Sequence, residues 1–295
     1  MTEKRLDMEN GTIRYRIEKD RAVITGFQGF AANLALPAQI EGCAVAAVDR
    51  KAFLSRKSLC TIVMPDSVEE VGDWAFAHCD SLREVSFPGR QVRFGRAAFK
   101  DCSSLGRIAV RGKAAFCAEL LAAAVTMMDA YYLLNLCGAG SGEWMEQWDI
   151  RLLSILRASD AEGYISQSVY GEEDYIGTDL EEFTNARRKV KVRLAFLRLL
   201  HSHGLDSSLR AELEQYLRNL TKGQAGEEAW QVVREEHGSH REYYSLFAEL
   251  GCISQDNFPG ILGDIGENSP EMKAFFLKYM GEQSTETDFF DGLEL

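Results

Sequence analysis

The sequence predicts an α+β protein of two domains: a short β-solenoid with a parallel sheet, then an all-α helical domain. Three observations carry this. Ala52-Phe53 recurs as Ala75-Phe76 and as Ala98-Phe99, each time 23 residues further on. Other residues keep fixed offsets from that pair. Ser58-Leu59 returns as Ser81-Leu82 and Ser104-Leu105, Pro65 matches Pro88, Gly72 matches Gly95, and Val48, Val71 and Phe94 share a slot. After Arg111 the period stops and apolar residues fall at helical spacing. A unit of this length cannot bury its own apolar face, so each coil leans on the next.

Taken in order, the first element is a hairpin. Ile13, Tyr15 and Ile17 alternate with Arg14, Arg16 and Glu18, the period of a half-buried strand. Lys19-Asp20 turns the chain, and residues 22–25 return as a second strand that covers the open first edge of the solenoid. Each coil then supplies one strand, over 34–36, 62–64, 85–87 and 108–110. Leu34, Ile62, Val85 and Ile108 point inward, as do Leu36, Met64, Phe87 and Val110. Phe53, Phe76 and Phe99 form a column inside, with Leu59, Leu82 and Leu105 as the second repeated core slot. The alternation leaves Thr61, Val63, Glu84, Ser86, Arg107 and Ala109 in an outward row on one parallel sheet.

The unit reads A-F-x-x-C-x-S-L-x-x-I-x-ϕ-P, with Arg56, Cys79 and Cys102 in the cysteine slot. This resembles the BspA-type leucine-rich repeat of bacterial proteins. The lead-in is similar too: Ile24-Thr25-Gly26-Phe27, then Leu36-Pro37-Ala38-Gln39-Ile40-Glu41-Gly42, then Val45 and Val48. The resemblance covers roughly residues 11–112 and implies binding and display, with no catalytic residue to carry over. It departs from the pattern at Gln91, Val92 and Phe94, and at Arg111, where a third coil proline would stand. The stack is therefore expected to end there, within a first domain of residues 1–112.

A helical domain of residues 113–282 and an acidic tail, 283–295, follow. Ala115, Phe116, Leu120, Leu121 and Ala124 open the domain as a helix over about 114–125 that caps the last coil. Gly138, Gly140 and Gly142 break the apolar signal of residues 131–136. Further helices are expected over 144–156, 179–200, 207–220, 227–236, 241–250, 257–265 and 271–280. Thr178 and Glu181 form a capping box, and Ser269-Pro270 marks the start of the last helix. Phe247…Leu250-Gly251 is echoed 30 residues later by Leu277…Met280-Gly281, which suggests helix pairs stacked in the manner of ankyrin or related α-solenoids.

Composition limits the chemistry. Hydrophobic residues make up 46% and charged residues 26% of 295, an ordinary globular mix. The net charge of −12 is uneven: residues 1–112 hold 17 Lys+Arg against 14 Asp+Glu, and the remainder 16 against 31. Such an acidic second half disfavours nucleic acid and anionic membrane surfaces as partners. No signal peptide is visible in the charged first ten residues, and residues 114–137, with Glu119 and Asp129, read as buried helices and not a membrane span. Seven cysteines without a C-x-x-C pair, with Cys79 and Cys102 in equivalent slots, read as reduced core residues. Cytoplasm is the simplest location, with the cell surface the alternative if a leader preceded this chain.

No catalytic constellation stands out. His201 and His203 are two apart and diverge on a helix, His237 and His240 flank Gly238 at a helix end, and Glu172, Glu173 and Asp174 lack the pattern of a calcium loop. The glycine run has Glu143 where a dinucleotide fingerprint needs its third glycine. Neither a cofactor nor a metal is expected, and the chain reads as a non-enzyme. The favoured function is a protein–protein interaction module that uses the outward sheet row to bind a protein or peptide of basic character. The alternatives are an architectural spacer and an enzyme with its site in the helical half.

Overall fold

The structure, a computed structural model, describes residues 2–164, 179–267 and 269–291, and it divides into two compact units, Met1–Arg157 and Ala158–Leu295. The first unit opens with three antiparallel strands, β1 (Lys4–Met8), β2 (Gly11–Glu18) and β3 (Arg21–Gly29). Lys19 and Asp20, both with left-handed φ (48° and 62°), make the tight turn that suits the twist of the β2–β3 hairpin. Strand β1 was not foreseen, because Lys4, Arg5, Asp7 and Glu9 hide the weak alternation of Leu6 and Met8.

About four solenoid turns follow, and they build two sheets where the sequence suggested one. The first continues from β3 through β6 (Cys43–Val48) and the two-residue strands β8 (Glu70–Val71) and β10 (Arg93–Phe94), all parallel, with β5 (Gln39–Ile40) beside β6. Val48, Val71 and Phe94, the shared slot, lie in register on it. The second sheet holds β4 (Asn33–Ala35), β7 (Thr61–Val63), β9 (Glu84–Phe87) and β11 (Arg107–Val110), again parallel.

A third side of each coil carries the phenylalanines. Rings of Phe53 and Phe76 stack at 5.1 Å and those of Phe76 and Phe99 at 5.4 Å, and Phe27 extends the column at 6.0 Å. Here the backbone kinks through left-handed residues in equivalent slots: Lys51, Trp74 and Ala97, then Ser55, His78 and Asp101. The kinks let successive coils hydrogen-bond, as in Phe53 N–H to the Ala75 carbonyl and Phe76 N–H to that of Ala98, both 2.8 Å. Gly72 and Gly95 are required where coils approach most closely. A Cβ on Gly72 would stand 2.6 Å from the Arg50 nitrogen, and one on Gly95 2.4 Å from that of Asp73.

Cysteines of the stack are thiols, as are all seven in the chain. The Cys79 thiol donates to the Phe53 carbonyl and that of Cys102 to the Phe76 carbonyl, each at 3.0 Å, so each satisfies a buried acceptor of the preceding coil. Arg111, in place of the proline, reaches back to Asp66 and to the Met64 carbonyl.

Helix α1 (Phe116–Thr126) packs on β11, and Arg107 pairs with its Glu119 at 3.0 Å. A short 3-10 turn (Tyr131–Leu133) and α2 (Gly142–Arg157) complete this unit. Trp148 donates its indole N–H to the Leu120 carbonyl and Trp144 to that of Leu133. Contacts thus group residues 113–157 with the coils, where the sequence placed the domain boundary at 112. The apolar face of α1 is needed to cover the last coil, and α2 to cover α1.

The second unit is helical: α3 (Leu180–Leu200), α4 (Ser207–Asn219), α5 (Glu228–Glu236), α6 (Arg241–Glu249), α7 (Phe258–Ile265) and α8 (Pro270–Asp291). Its core includes Phe196, Trp230, Phe247 and Phe276, all fully buried. Asp206 caps α4 through the Ser208 and Leu209 N–H groups. Thr178 and the cluster Glu172, Glu173 and Asp174 lie outside the described residues, and α3 begins after Asp179 with no side-chain cap. The last helix starts at Pro270 as expected but runs on to Asp291, through the stretch read as a tail. The 30-residue echo does not carry over. Gly251 follows α6 with φ 71° whereas Gly281 lies within α8, and Phe247 is buried whereas Leu277 is 51% exposed. Among the described residues no helix is long and apolar enough to cross a membrane.

Candidate binding surfaces of the solenoid

The outer face of the second sheet consists of two rungs set by strand register. One runs Asn33, Thr61, Glu84, Arg107, and the other Ala35, Val63, Ser86, Ala109. The first is a polar ladder. Thr61 donates to the Asn33 side chain at 2.8 Å, Arg107 lies 3.5 Å from the Glu84 carboxylate, and it also holds Glu119. The second carries small side chains, Ala35, Val63, Ser86 and Ala109, with Val63 exposed at 42%. The six residues singled out from the sequence therefore share one surface. Arg107 has a second duty there, because it ties β11 to the capping helix. By contrast, the repeated core residues are sealed: Phe53, Phe76, Phe99, Leu59, Leu82 and Leu105 are at most 4% exposed.

Beyond the first sheet lies a shallow depression of about 520 Å³ bordered by Val23, Ala46 and Ala47 and by charges. Most of those charges are satisfied: Arg21 and Arg90 pair with Glu69, and Arg93 with Glu70, each at 2.9 Å, while Lys19 has no ion pair among the described residues. Such exposed pairs contribute little stability.

A different arrangement occupies the corner between that sheet and the phenylalanine column. Trp74 is half-buried there, with the Arg50 guanidinium 4.9 Å from its ring centre, that of Arg96 at 5.4 Å and the Lys51 ammonium at 5.4 Å. Sequence reasoning passed over it, although the signal was present. Arg50 and Arg96 occupy one slot two coils apart, and Trp74 stands where the neighbouring coils have Lys51 and Ala97.

Between the last coil and its cap is a cleft of about 580 Å³ lined by Lys100, Asp101, Cys102, Ser103, Thr126, Asp129 and Tyr131 among others. Its titratable groups are poor nucleophiles. Burial pushes the Cys102 thiol up to about 12 and the Tyr131 phenol to about 12, so neither ionises near neutrality. The Phe99 backbone acts against that burial by lowering the phenol, but the buried Tyr131 hydroxyl makes no hydrogen bond among the described residues.

The helical unit holds one partly buried ionic cluster. Asp160 binds Lys191 at 2.6 Å and Arg188 at 2.8 Å, and Arg188 reaches Glu228 at 3.3 Å. Burial opposes the charge on Asp160, yet the two cations overcome it and hold the carboxyl below its usual range. Rings of His237 and His240 lie 5.6 Å apart, but His237 stacks flat on Tyr243 at 3.5 Å, and burial pushes its imidazole down to about 4. It is neutral at pH 7. Among the described residues no group of three His, Cys, Asp or Glu side chains is placed to hold a metal.

The repeated coils match a known family of repeats. Residues 38–117 match the BspA type leucine rich repeat region, in six copies. No curated protein matches the chain. Among solved structures, a leucine rich cell surface protein from Faecalibacterium prausnitzii is 26% identical, covering 37% of this chain and 32% of that one, with a TM-score of 0.33. The leucine rich repeat protein of T. pallidum is 28% identical over 36% of this chain and 49% of its own, with a TM-score of 0.30. A leucine-rich repeat protein from Bacteroides capillosus is 19% identical, covering 37% of this chain and 99% of that one, with a TM-score of 0.30. The chain spans less than half the length of the first two.

Proposed function

We propose that this chain, whose residues 38–117 form a BspA-type leucine-rich repeat, is a non-catalytic binding module that engages a protein or peptide through the outer face of its second sheet. The observation that carries the reading is the character of that face. Its backbone is fixed by four parallel strands in register, yet its side chains change from rung to rung without touching the core. Val63 provides an apolar anchor in the middle, and the Asn33–Thr61 and Glu84–Arg107 pairs supply hydrogen-bonding groups around it. A central apolar contact ringed by polar groups is the usual make-up of a specific interface. Carboxylates outnumber cations where Glu84 and Glu119 flank Arg107, so the partner carries positive charge at that end and its affinity falls with added salt.

The test is Val63→Asp combined with Ser86→Lys, which alters the centre of the face and spares the Arg107–Glu119 tie. With the variant's melting shown to match the parent's, both are used as bait in lysate of the source organism. Loss of the captured protein by the variant supports the reading. Capture with unchanged affinity removes the sheet face as the binding surface.

A further inference from the structure

The repeat is broken in side-chain character, though not in backbone, at the Trp74 corner. Trp74, Lys51 and Ala97 share one slot and one left-handed conformation, with φ of 52°, 59° and 53°. Arg50 reaches the indole from the coil before and Arg96 from the coil after. Among the described residues, Arg50, Lys51 and Arg96 have no carboxylate at ion-pairing distance, unlike the arginines of the adjoining sheet. The two nearby acids are engaged elsewhere. Asp49 pairs with Arg16 and accepts from the Arg50 N–H, and Asp73 accepts from the Arg96 N–H at 2.7 Å. Three cations without an ion-pair partner thus converge on one ring, and cation–π attraction holds the two guanidinium groups beside it.

We propose that this corner binds an acidic peptide in the polyproline II conformation, with carboxylates at positions i and i+3. The two ring distances limit the guanidinium carbons to about 10 Å of separation, in keeping with two rungs of about 4.8 Å each. A polyproline II chain repeats every three residues at about 3.1 Å per residue, so i and i+3 lie on one side about 9.3 Å apart. Each carboxylate then meets one guanidinium fork, and the residues between them cross the edge of the indole that the two guanidinium groups leave open. A β-strand fails because its i and i+3 side chains point to opposite faces. An α-helix, about 10–12 Å across, would ride on the arginine side chains and miss the half-buried ring between them. This site is separate from the second-sheet face, and neither reading depends on the other.

Trp74 supplies its own probe, since Trp144, Trp148 and Trp230 are at most 3% exposed. The full chain is titrated with the capped hexapeptide Pro-Glu-Pro-Pro-Glu-Pro while tryptophan fluorescence and calorimetric heat are followed. We expect saturable binding with a sub-millimolar Kd that weakens with added salt. The analogue with Gln for Glu, and the isomer Pro-Glu-Pro-Glu-Pro-Pro, should bind at least about tenfold more weakly, a loss of about 1.4 kcal/mol. Arg50→Gln and Arg96→Gln, both at exposed positions, should each weaken binding several-fold, with Lys19→Gln unchanged as a control. A silent titration, equal affinity for the Gln analogue or the isomer, or unaltered binding by both arginine variants would overturn the proposal. So would binding of a sulfated oligosaccharide while the peptides stay silent, which would give the corner to an anionic glycan.

Discussion

Removing one ring from the phenylalanine column tests the architecture most directly. Phe76 is fully buried and sandwiched between Phe53 at 5.1 Å and Phe99 at 5.4 Å. Phe76→Ala forfeits the transfer energy of the ring and leaves a slot one ring thick, at a usual total of about 3–5 kcal/mol. Collapse would reduce that cost, but the flanking rings are pinned by the inter-coil hydrogen bonds of Phe53 and Phe76 N–H. The two lost stacking contacts add to the penalty, at about 0.5–1.5 kcal/mol each beyond area burial. The upper half of the range is therefore expected. For a unit of this size each kcal/mol lowers the melting midpoint by about 2–4 °C, so the first transition should fall by about 8–20 °C. Phe76→Leu, which refills most of the volume, should cost far less. Calorimetry of the full chain is the assay, with urea unfolding followed by circular dichroism as the second measure. A midpoint for Phe76→Ala within about 2 °C of the parent would show that the coils are not held together by this column.

Two further expectations concern the ends of each unit. A chain ending at residue 112 should aggregate, because it exposes the face of β11 that α1 covers, whereas one ending at 157 should stay monomeric and melt cooperatively; equal solubility and equal melting by light scattering and calorimetry would dispose of the capping role of α1. Acid should weaken the helical unit through His237. An unfolded histidine takes up its proton near pH 6.5, but the folded one waits until about 4, so stability is complete above 6.5 and declines as pH falls through that window. Its partial exposure limits the effect to about 1 kcal/mol. His237→Phe keeps the stack on Tyr243 and should flatten the difference between midpoints at pH 7 and pH 4.5 relative to the parent; an identical pH response in the two chains would acquit His237.

The solenoid was legible because its constraints repeat. A slot that must be Phe in one coil must be Phe in the next, since each ring is the floor of its neighbour, and Ala-Phe and Ser-Leu announce this three times over. The outward row followed by alternation alone. The first sheet escaped notice because β8 and β10 have only two residues each, too few for a period, though Val48, Val71 and Phe94 marked the place. The domain boundary was set at the last repeat, but burial decides it: an end coil needs α1, and α1 needs Trp148 and the rest of α2. In the helical unit the start of the last helix came through from Pro270, while the echo at Gly251 and Gly281 misled, because a glycine can end a helix or merely sit in one.

Regularity of the core and irregularity of the surface have one cause here. Inside, a coil must present to the next what it receives from the last, so Phe53, Phe76 and Phe99, or the thiols of Cys79 and Cys102, admit little change. Outside, no such demand exists, and whatever departs from the period there is not explained by stacking. On the outer face of the first sheet the departures cancel as ion pairs between Arg21, Arg90, Arg93 and their glutamates. On the second sheet they leave Val63 uncovered among paired polar groups. At the corner they set a tryptophan among cations without an ion-pair partner, although Lys51 and Ala97 show that the backbone there accepts other residues. A half-buried indole under two arginines gains about 0.5–1 kcal/mol from each cation–π contact at an exposed site. That gain is small beside one buried phenylalanine, so stability alone gives little reason for this grouping, and recognition of an anion gives a better one.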